Sequence, residues 1–168
     1  VNADIKAQVT GYLLAQHYTE GSLVKKGQLL FELDPRPFQA VLDQAKGQLA
    51  QANAQALQAE ANQGKTQLDV NRYTPLAKSK AITDQELDNA VQANLGAKAQ
   101  GEAGNAAIVA GKAAVASAQL NLGFTTIRSP IDGLAGLAQA QVGNLVSAGT
   151  SSLTTVSTVD PIKVYFTA

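Results

Sequence analysis

A heptad pattern of small and apolar residues runs through the middle of the chain. Between residues 39 and 123 the only aromatic side chain is Tyr73, and Ala, Gln and Asn dominate. Apolar positions alternate in steps of four and three residues, which is the spacing of a coiled-coil seam. The first stripe comprises Phe38, Leu42, Ala45, Leu49, Ala52, Ala56 and Ala59, and the second comprises Ala99, Ala103, Ala106, Ala110, Ala113, Ser117, Leu120 and Phe124. The pattern predicts two long helices packed as a thin antiparallel hairpin.

Start signals mark both predicted helices. Asp34-Pro35 offers an acidic N-cap followed by a first-turn proline, and Thr83 with Glu86 forms a capping box. These signals predict helices over about 36–76 and 83–121, with a tip at about 77–83. Glycines inside the arms count against this prediction, because each costs a helix interior about 0.8–1 kcal/mol relative to alanine. They are Gly47, Gly64, Gly96, Gly101, Gly104 and Gly111.

The two ends of the chain repeat each other as predicted β-structure. The pattern G-x9-G-x-L-V-x2-G runs from Gly11 to Gly27 and again from Gly133 to Gly149. Each copy is too small to bury its apolar face alone, so we expect the two copies to pack on each other. Residues near the end of the chain alternate like one further strand. The predicted first β-half, inserted hairpin, second β-half and start of a truncated domain are residues 1–34, 35–121, 122–159 and 160–168.

Charge and composition argue against several classes of function. The 13 Lys and Arg residues balance 13 Asp and Glu residues, and like charges do not cluster along the sequence. The sequence therefore lacks the basic patch that is typical of nucleic-acid-binding proteins. The sequence contains no run of about 18 uncharged apolar residues, so it predicts no membrane span. The chain opens on Val1 and contains neither Cys nor Met. We interpret it as an excised or processed segment of a longer protein.

Residues suited to catalysis or metal binding are sparse. His17 is the only histidine, and the carboxylates are scattered without the spacing of metal ligands. We therefore expect a protein that is not an enzyme, with no catalytic residue, no metal site and no bound cofactor. His17, beside Tyr18, is predicted to lie on a strand surface.

Several segments flank the predicted hairpin in a fixed order, namely Gln8–Gly11, Glu20–Pro35, Leu120–Thr125, Ser129–Gly133 and Val159–Ile162. Their order and spacing resemble the periplasmic adaptor, or membrane fusion protein, family of bacterial tripartite efflux pumps. The resemblance implies an α+β fold, in which a lipoyl-like β-sandwich is made of two split halves. A long antiparallel α-helical coiled-coil hairpin is inserted between them, and the last residues begin a truncated β-barrel domain.

The resemblance also implies partners and a location. A family member lies in the periplasm and is anchored to the inner membrane in its full-length form. It links an inner-membrane transporter, here of the resistance-nodulation-division (RND) type, to an outer-membrane exit duct of the TolC type. Several copies associate into a ring or funnel. An adaptor of an ABC-type exporter is the alternative within the family.

Three residues match the spacing that family adaptors show around the hairpin tip. They are Arg72, Leu76 and Thr83, and Thr83 stands where the family carries Ser. The resemblance implies that this tip docks on the exit duct. From spacing alone, the same residues also fit a solvated helix charge, a residue closing the hairpin and a helix cap.

Two other classes of protein share part of the pattern. A biotinyl or lipoyl carrier domain has a similar β-unit, but it presents a lysine on a tight turn between its halves. Residues 31–37 contain no lysine, and the hairpin occupies that position. A purely structural coiled coil explains the middle of the chain but not its repeated ends.

Overall fold

The computed structural model describes residues 2–158, which form two compact units. The β unit comprises residues 2–41 and 118–158, and the helical unit comprises residues 42–117. The predicted start of a further domain at 160–168 lies outside the described residues. In chain order the elements are β1 (Asn2–Lys6), β2 (Gly11–Gln16), β3 (Leu23–Val24), β4 (Leu29–Leu33), α1 (Arg36–Lys78), α2 (Asp84–Gly123), β5 (Thr126–Arg128), β6 (Gly133–Ala135), β7 (Leu145–Val146) and β8 (Ser152–Ser157).

The strands described in the β unit form two four-stranded sheets, with the orders β1-β8-β6-β3 and β5-β4-β2-β7. Neighbouring strands pair antiparallel throughout. The first sheet takes β1 and β3 from before the helices and β6 and β8 from after them, and the second sheet is mixed in the same way. The prediction that the two ends of the chain build one unit is therefore confirmed.

One apolar core lies within the β unit. Every strand of both sheets contributes to it, and Leu13, Phe31, Leu33 and Val156 are at most 1 % exposed. The rings of Tyr18 and Phe31 pack edge to face, with centroids 5.4 Å apart. Because both halves of the chain line this core, neither half can bury its apolar side chains alone.

The turns show the sequence repeat directly. Gly21 and its counterpart Gly143 have φ of 73° and 94°, and Gly27 and its counterpart Gly149 have φ of 83° and 74°. Glycine enters this left-handed region without the steric penalty that a Cβ brings. The two copies therefore use glycine for the same turns.

The strand that precedes the helices and the segment that follows them lie side by side within the β unit. The backbone N–H of Leu33 donates to the carbonyl of Thr125 at 2.8 Å. Asp34 then caps α1, since its Oδ1 accepts from the N–H of Arg36 at 3.0 Å. Side-chain and backbone hydrogen bonds from Arg36 lower the pKa of Asp34 to about 2. The predicted N-cap at Asp34 is confirmed.

The helices run within about two residues of their predicted ends. In α1 the predicted stripe is confirmed over the helical unit, where Leu42, Ala45, Ala52 and Ala59 are buried. Neither helix carries an apolar run suited to a bilayer span within the part of the chain that the structure describes.

The predicted stripe of α2 is wrong. In the helical unit its members Ala99, Ala103, Ala106, Ala110, Ala113 and Ser117 are all exposed. The side that is buried or half-buried there instead carries Leu87, Ala90, Asn94, Ala97, Gly101, Gly104, Ile108, Gly111 and Val115. This set has the same four-and-three spacing but is displaced along the helix, and it includes three glycines that the sequence analysis counted as unfavourable.

Glycines of α2 bring the two helices close together. A Cβ built on Gly104 would lie 3.0 Å from the Cα of Ala56, and one on Gly111 would lie 3.1 Å from a side-chain carbon of Leu49. The two contacts are one heptad apart in both helices and run in opposite directions, so the pair is antiparallel. These seam glycines leave room for the facing backbone, which offsets their low helix propensity.

Candidate functional site at the hairpin tip

The turn that joins the two helices is closed by hydrogen bonds at the end of α1. The N–H of Ala81 donates to the carbonyl of Leu76 at 2.9 Å, and the N–H of Lys80 donates to that of Ala77 at 3.0 Å. Lys80 adopts a φ of 57°. This is the Schellman arrangement, with lysine at the left-handed position where glycine is most common. The tip is therefore a defined structure of five residues, 79–83, between Lys78 and Asp84.

Thr83 caps the start of α2. Its N–H and its hydroxyl donate to Oε2 of Glu86 at 2.9 and 3.0 Å, and its hydroxyl accepts from the N–H of Glu86 at 3.2 Å. The hydrogen bonds from Thr83 lower the pKa of Glu86 below its ordinary value. The predicted capping box is confirmed, and the hydroxyl of Thr83 has a structural role in this chain.

Arg72 and Leu76 lie one turn apart in the last turns of α1, with their side chains accessible. The side chain of Arg72 is 67 % exposed, and its guanidinium nitrogen lies 3.9 Å from Oδ1 of Asp69. Such an exposed pair contributes little to stability. Leu76 is 37 % exposed, although its carbonyl closes the turn. The structure therefore leaves both side chains available to a partner, whereas that of Thr83 is engaged in the cap.

Sequence reasoning missed a groove beside the tip. Tyr73 and Ile82 are half-buried there, and Asp69 and Glu86 also line it. One signal in the sequence pointed to it, because Tyr73 is the only aromatic residue in a long alanine-rich stretch.

The only histidine of the sequence, His17, belongs to the β unit and not to the tip. His17 pairs with Glu32 at 3.1 Å on the surface of the β unit, where both side chains are more than a third exposed. Within residues 2–158 no three His, Cys, Asp or Glu side chains are arranged to hold a metal ion. The tip is the candidate site, because its exposed arginine presents a planar set of donors that is suited to recognition of another protein.

The chain belongs to the RND membrane fusion protein family. Residues 1–158 match the family model described as the barrel-sandwich hybrid domain of RND membrane fusion proteins. This match covers both ends of the chain and the helices between them.

Curated relatives align with nearly the whole chain. It is 43% identical over 164 residues to the multidrug resistance protein MdtA of Proteus mirabilis, covering 97% of this chain and 36% of that protein. It is 40% identical over 163 residues to the multidrug efflux pump subunit AcrA of Escherichia coli, covering 96% of this chain and 38% of AcrA. The chain therefore spans little more than a third of the length of these relatives.

A solved structure shows the same fold. The crystal structure of MacA from Actinobacillus actinomycetemcomitans superimposes with a TM-score of 0.87 at 29% identity. The match covers 92% of this chain and 48% of MacA.

Proposed function

We propose that this chain is the hairpin-bearing part of a periplasmic adaptor that links an inner-membrane efflux transporter to an outer-membrane exit duct of the TolC type. The observation that carries the proposal is the family match over residues 1–158, together with relatives named as multidrug resistance, export and efflux proteins. In this proposal the protein works in the periplasm, is anchored to the inner membrane in its full-length form and associates into a ring or funnel.

The RND type of transporter is favoured over an ABC-type exporter because the matching family model is that of RND membrane fusion proteins. We further assign the mixed β unit as a split lipoyl-like domain, divided at the boundaries predicted from the sequence. Support for this assignment comes from the repeated glycine turns and from the two sheets that draw strands from both ends.

A cofactor-carrier function is not favoured. The lysines of the described β unit are Lys6, Lys25 and Lys26, and the last two lie in the turn between β3 and β4. Between the two halves the chain passes into α1 instead of forming a short lysine-bearing turn. Intact mass after co-expression with biotin and lipoate ligases tests this point, and an added cofactor mass would contradict it.

Docking at the tip is assigned to Arg72 and Leu76, with Thr83 contributing through the shape of the turn. An exposed arginine offers five donors in a planar fork to carbonyls or carboxylates of a partner. An accessible leucine beside it adds apolar contact area. The side chain of Arg72 has little part in folding, since it is mostly exposed, whereas Leu76 is 37 % exposed and is therefore partly buried.

The test is the double variant Arg72→Asp, Leu76→Asp in the full-length protein. Arg72→Asp alone should change the free energy of unfolding by no more than about 0.5 kcal/mol, yet it opposes a site arranged to accept a guanidinium. We expect cells to lose drug resistance with the double variant and with Arg72→Asp alone, and we expect Arg72→Asp alone to keep the thermal unfolding temperature of the parent. The matched control is Lys65→Asp, Leu68→Asp, which alters an exposed cation and an exposed leucine of the same helix. Full resistance with the tip variant would contradict the proposal.

A further inference from the structure

A groove of about 390 Å³ opens between the two helices next to the tip. Asp69 and Tyr73 line it from α1, Ile82 lines it from the turn, and Glu86 and Ala90 line it from α2. Tyr73, Ile82 and Ala90 are half-buried, so the floor of the groove is largely apolar. Asp69 and Glu86 line the same groove from opposite helices.

Asp69 and Glu86 both have carboxylate oxygens that can accept further hydrogen bonds. Oε2 of Glu86 accepts from the N–H and the hydroxyl of Thr83, whereas Oε1 has no hydrogen-bond partner among residues 2–158. These bonds fix the carboxylate in place and favour its charged form. Asp69 has only the loose pair with Arg72, at 3.9 Å, within the same described residues. An arriving cation would therefore meet one carboxylate held in place by Thr83 and a second whose only ion pair is long, so no strong interaction would be broken.

Two other grooves along the helices lack this combination. In one, Lys98 lines the same space as Glu60 and Glu102, so a cation is already present. The other is lined by neutral glutamine, asparagine, alanine and glycine side chains. The tip groove combines an aromatic ring, an apolar floor and two carboxylates, which complement the aliphatic stem and charged head of a basic side chain.

We propose that this groove receives an arginine or lysine side chain of the protein on which the tip docks. Its stem would lie against Tyr73, Ile82 and Ala90, and its cation would lie between Asp69 and Glu86. The inference rests on the proposed function for the identity of the partner. The pocket for a cationic side chain can be tested without that partner.

The probe is N-acetyl-arginine amide, titrated into the isotope-labelled 168-residue chain and followed by backbone amide shifts. The neutral isostere N-acetyl-citrulline amide is the comparison ligand, and N-acetyl-lysine amide tests the other cation. Asp69→Asn, Glu86→Gln removes both charges, and glutamine at 86 still satisfies a capping box. Asp88→Asn is the matched control, since this exposed carboxylate of α2 does not line the groove.

A second pair of variants tests the volume of the groove. Ala93→Leu fills it from an exposed position on α2, and Ala99→Leu places the same side chain on an exposed position of that helix outside the groove. We expect saturable shifts at amides around Tyr73 and Ala90 with the arginine probe. Binding should be at least about fivefold weaker with citrulline, with the charge-neutral double variant and with Ala93→Leu. It should be unchanged in Asp88→Asn and Ala99→Leu.

Absence of saturable shifts at these amides would overturn the inference, as would equal binding of citrulline or unchanged binding by the double variant. None of these results bears on docking through Arg72 and Leu76, because no duct is present in the titration. Conversely, if the tip variants show that the chain does not dock on an exit duct, binding of the arginine probe in the titration would be unaffected. The two failures are therefore distinguishable.

Discussion

Adding one methyl group at Gly104 should destabilise the hairpin. The new Cβ would lie 3.0 Å from the Cα of Ala56 and 3.2 Å from its Cβ. Both atoms are fixed to the facing backbone, so they cannot rotate away as the end of a long side chain could. Overpacking of this kind costs about 1–3 kcal/mol, and replacing a helical glycine by alanine gains about 0.8–1 kcal/mol. We expect a net loss of about 1 kcal/mol in the free energy of unfolding for Gly104→Ala.

Gly96→Ala is the matched control on the same helix. Gly96 is exposed, and a Cβ built there meets no atom within 4 Å. Gly96→Ala therefore causes no overpacking and only raises helix propensity, so its free energy of unfolding should increase by about 0.8–1 kcal/mol. Urea denaturation followed by circular dichroism at 222 nm reports the helices in both variants. Equal stabilisation by the two substitutions would refute the close seam and the role given to its glycines.

Three further predictions concern the cap, the start of α1 and the split β unit. Thr83→Ala should lower the free energy of unfolding by about 1 kcal/mol, whereas Thr83→Ser should retain most of the cap. Because the pKa of Asp34 falls to about 2 on folding, its contribution to stability is full above its ordinary pKa and is lost as pH falls toward 2. Replacing residues 36–121 by a short glycine-containing turn should leave a folded β unit, since the Leu33 N–H to Thr125 carbonyl bond already joins the two ends.

Each of these predictions has a contrary outcome. Equal denaturation midpoints for the alanine and serine variants at 83 would argue against the capping box. If Asp34→Asn has the same slope of stability against pH between 4 and 2 as the parent, the hydrogen bonds from Arg36 do not carry the expected linkage. If the amide NMR signals of the shortened chain lose their dispersion while those of the parent keep it, the β unit depends on the helices.

The β unit could be predicted from the sequence because its turns need particular residues. The glycines at 21, 27, 143 and 149 occupy the left-handed backbone region, and this requirement leaves a readable repeat. The pairing of strands within the two sheets was not predicted. Two-residue strands such as β3 and β7 carry too few side chains to specify their partners by alternation.

The helices could be predicted, but the seam of α2 could not. In α1, leucine and alanine alternate with polar residues, so its seam stands out. In α2, alanine occurs on every side of the helix, and a four-and-three pattern can be drawn through exposed positions as well as buried ones. The glycines that mark the true seam, Gly101, Gly104 and Gly111, have low helix propensity, so local sequence argues against them in a helix. Their packing role depends on the partner helix, which local periodicity does not contain.

At the tip, the sequence predicted the cap and singled out exposed residues, but it did not find the groove. The capping box is a local pattern, so Thr83 and Glu86 could be assigned before the structure was known. The groove joins Asp69 and Tyr73 of one helix to Glu86 of the other. Such a site exists only once the antiparallel register is fixed.

Photo-crosslinking from the tip tests the central claim most directly. A photoreactive amino acid is placed at Leu76 of the full-length protein in cells, and the same group at exposed Leu57 of α1 is the control. We predict an adduct with the outer-membrane duct from position 76 that is lost when Arg72→Asp is added, and no duct adduct from position 57. The absence of a duct adduct from position 76, or equal adducts from both positions, would contradict docking through the tip.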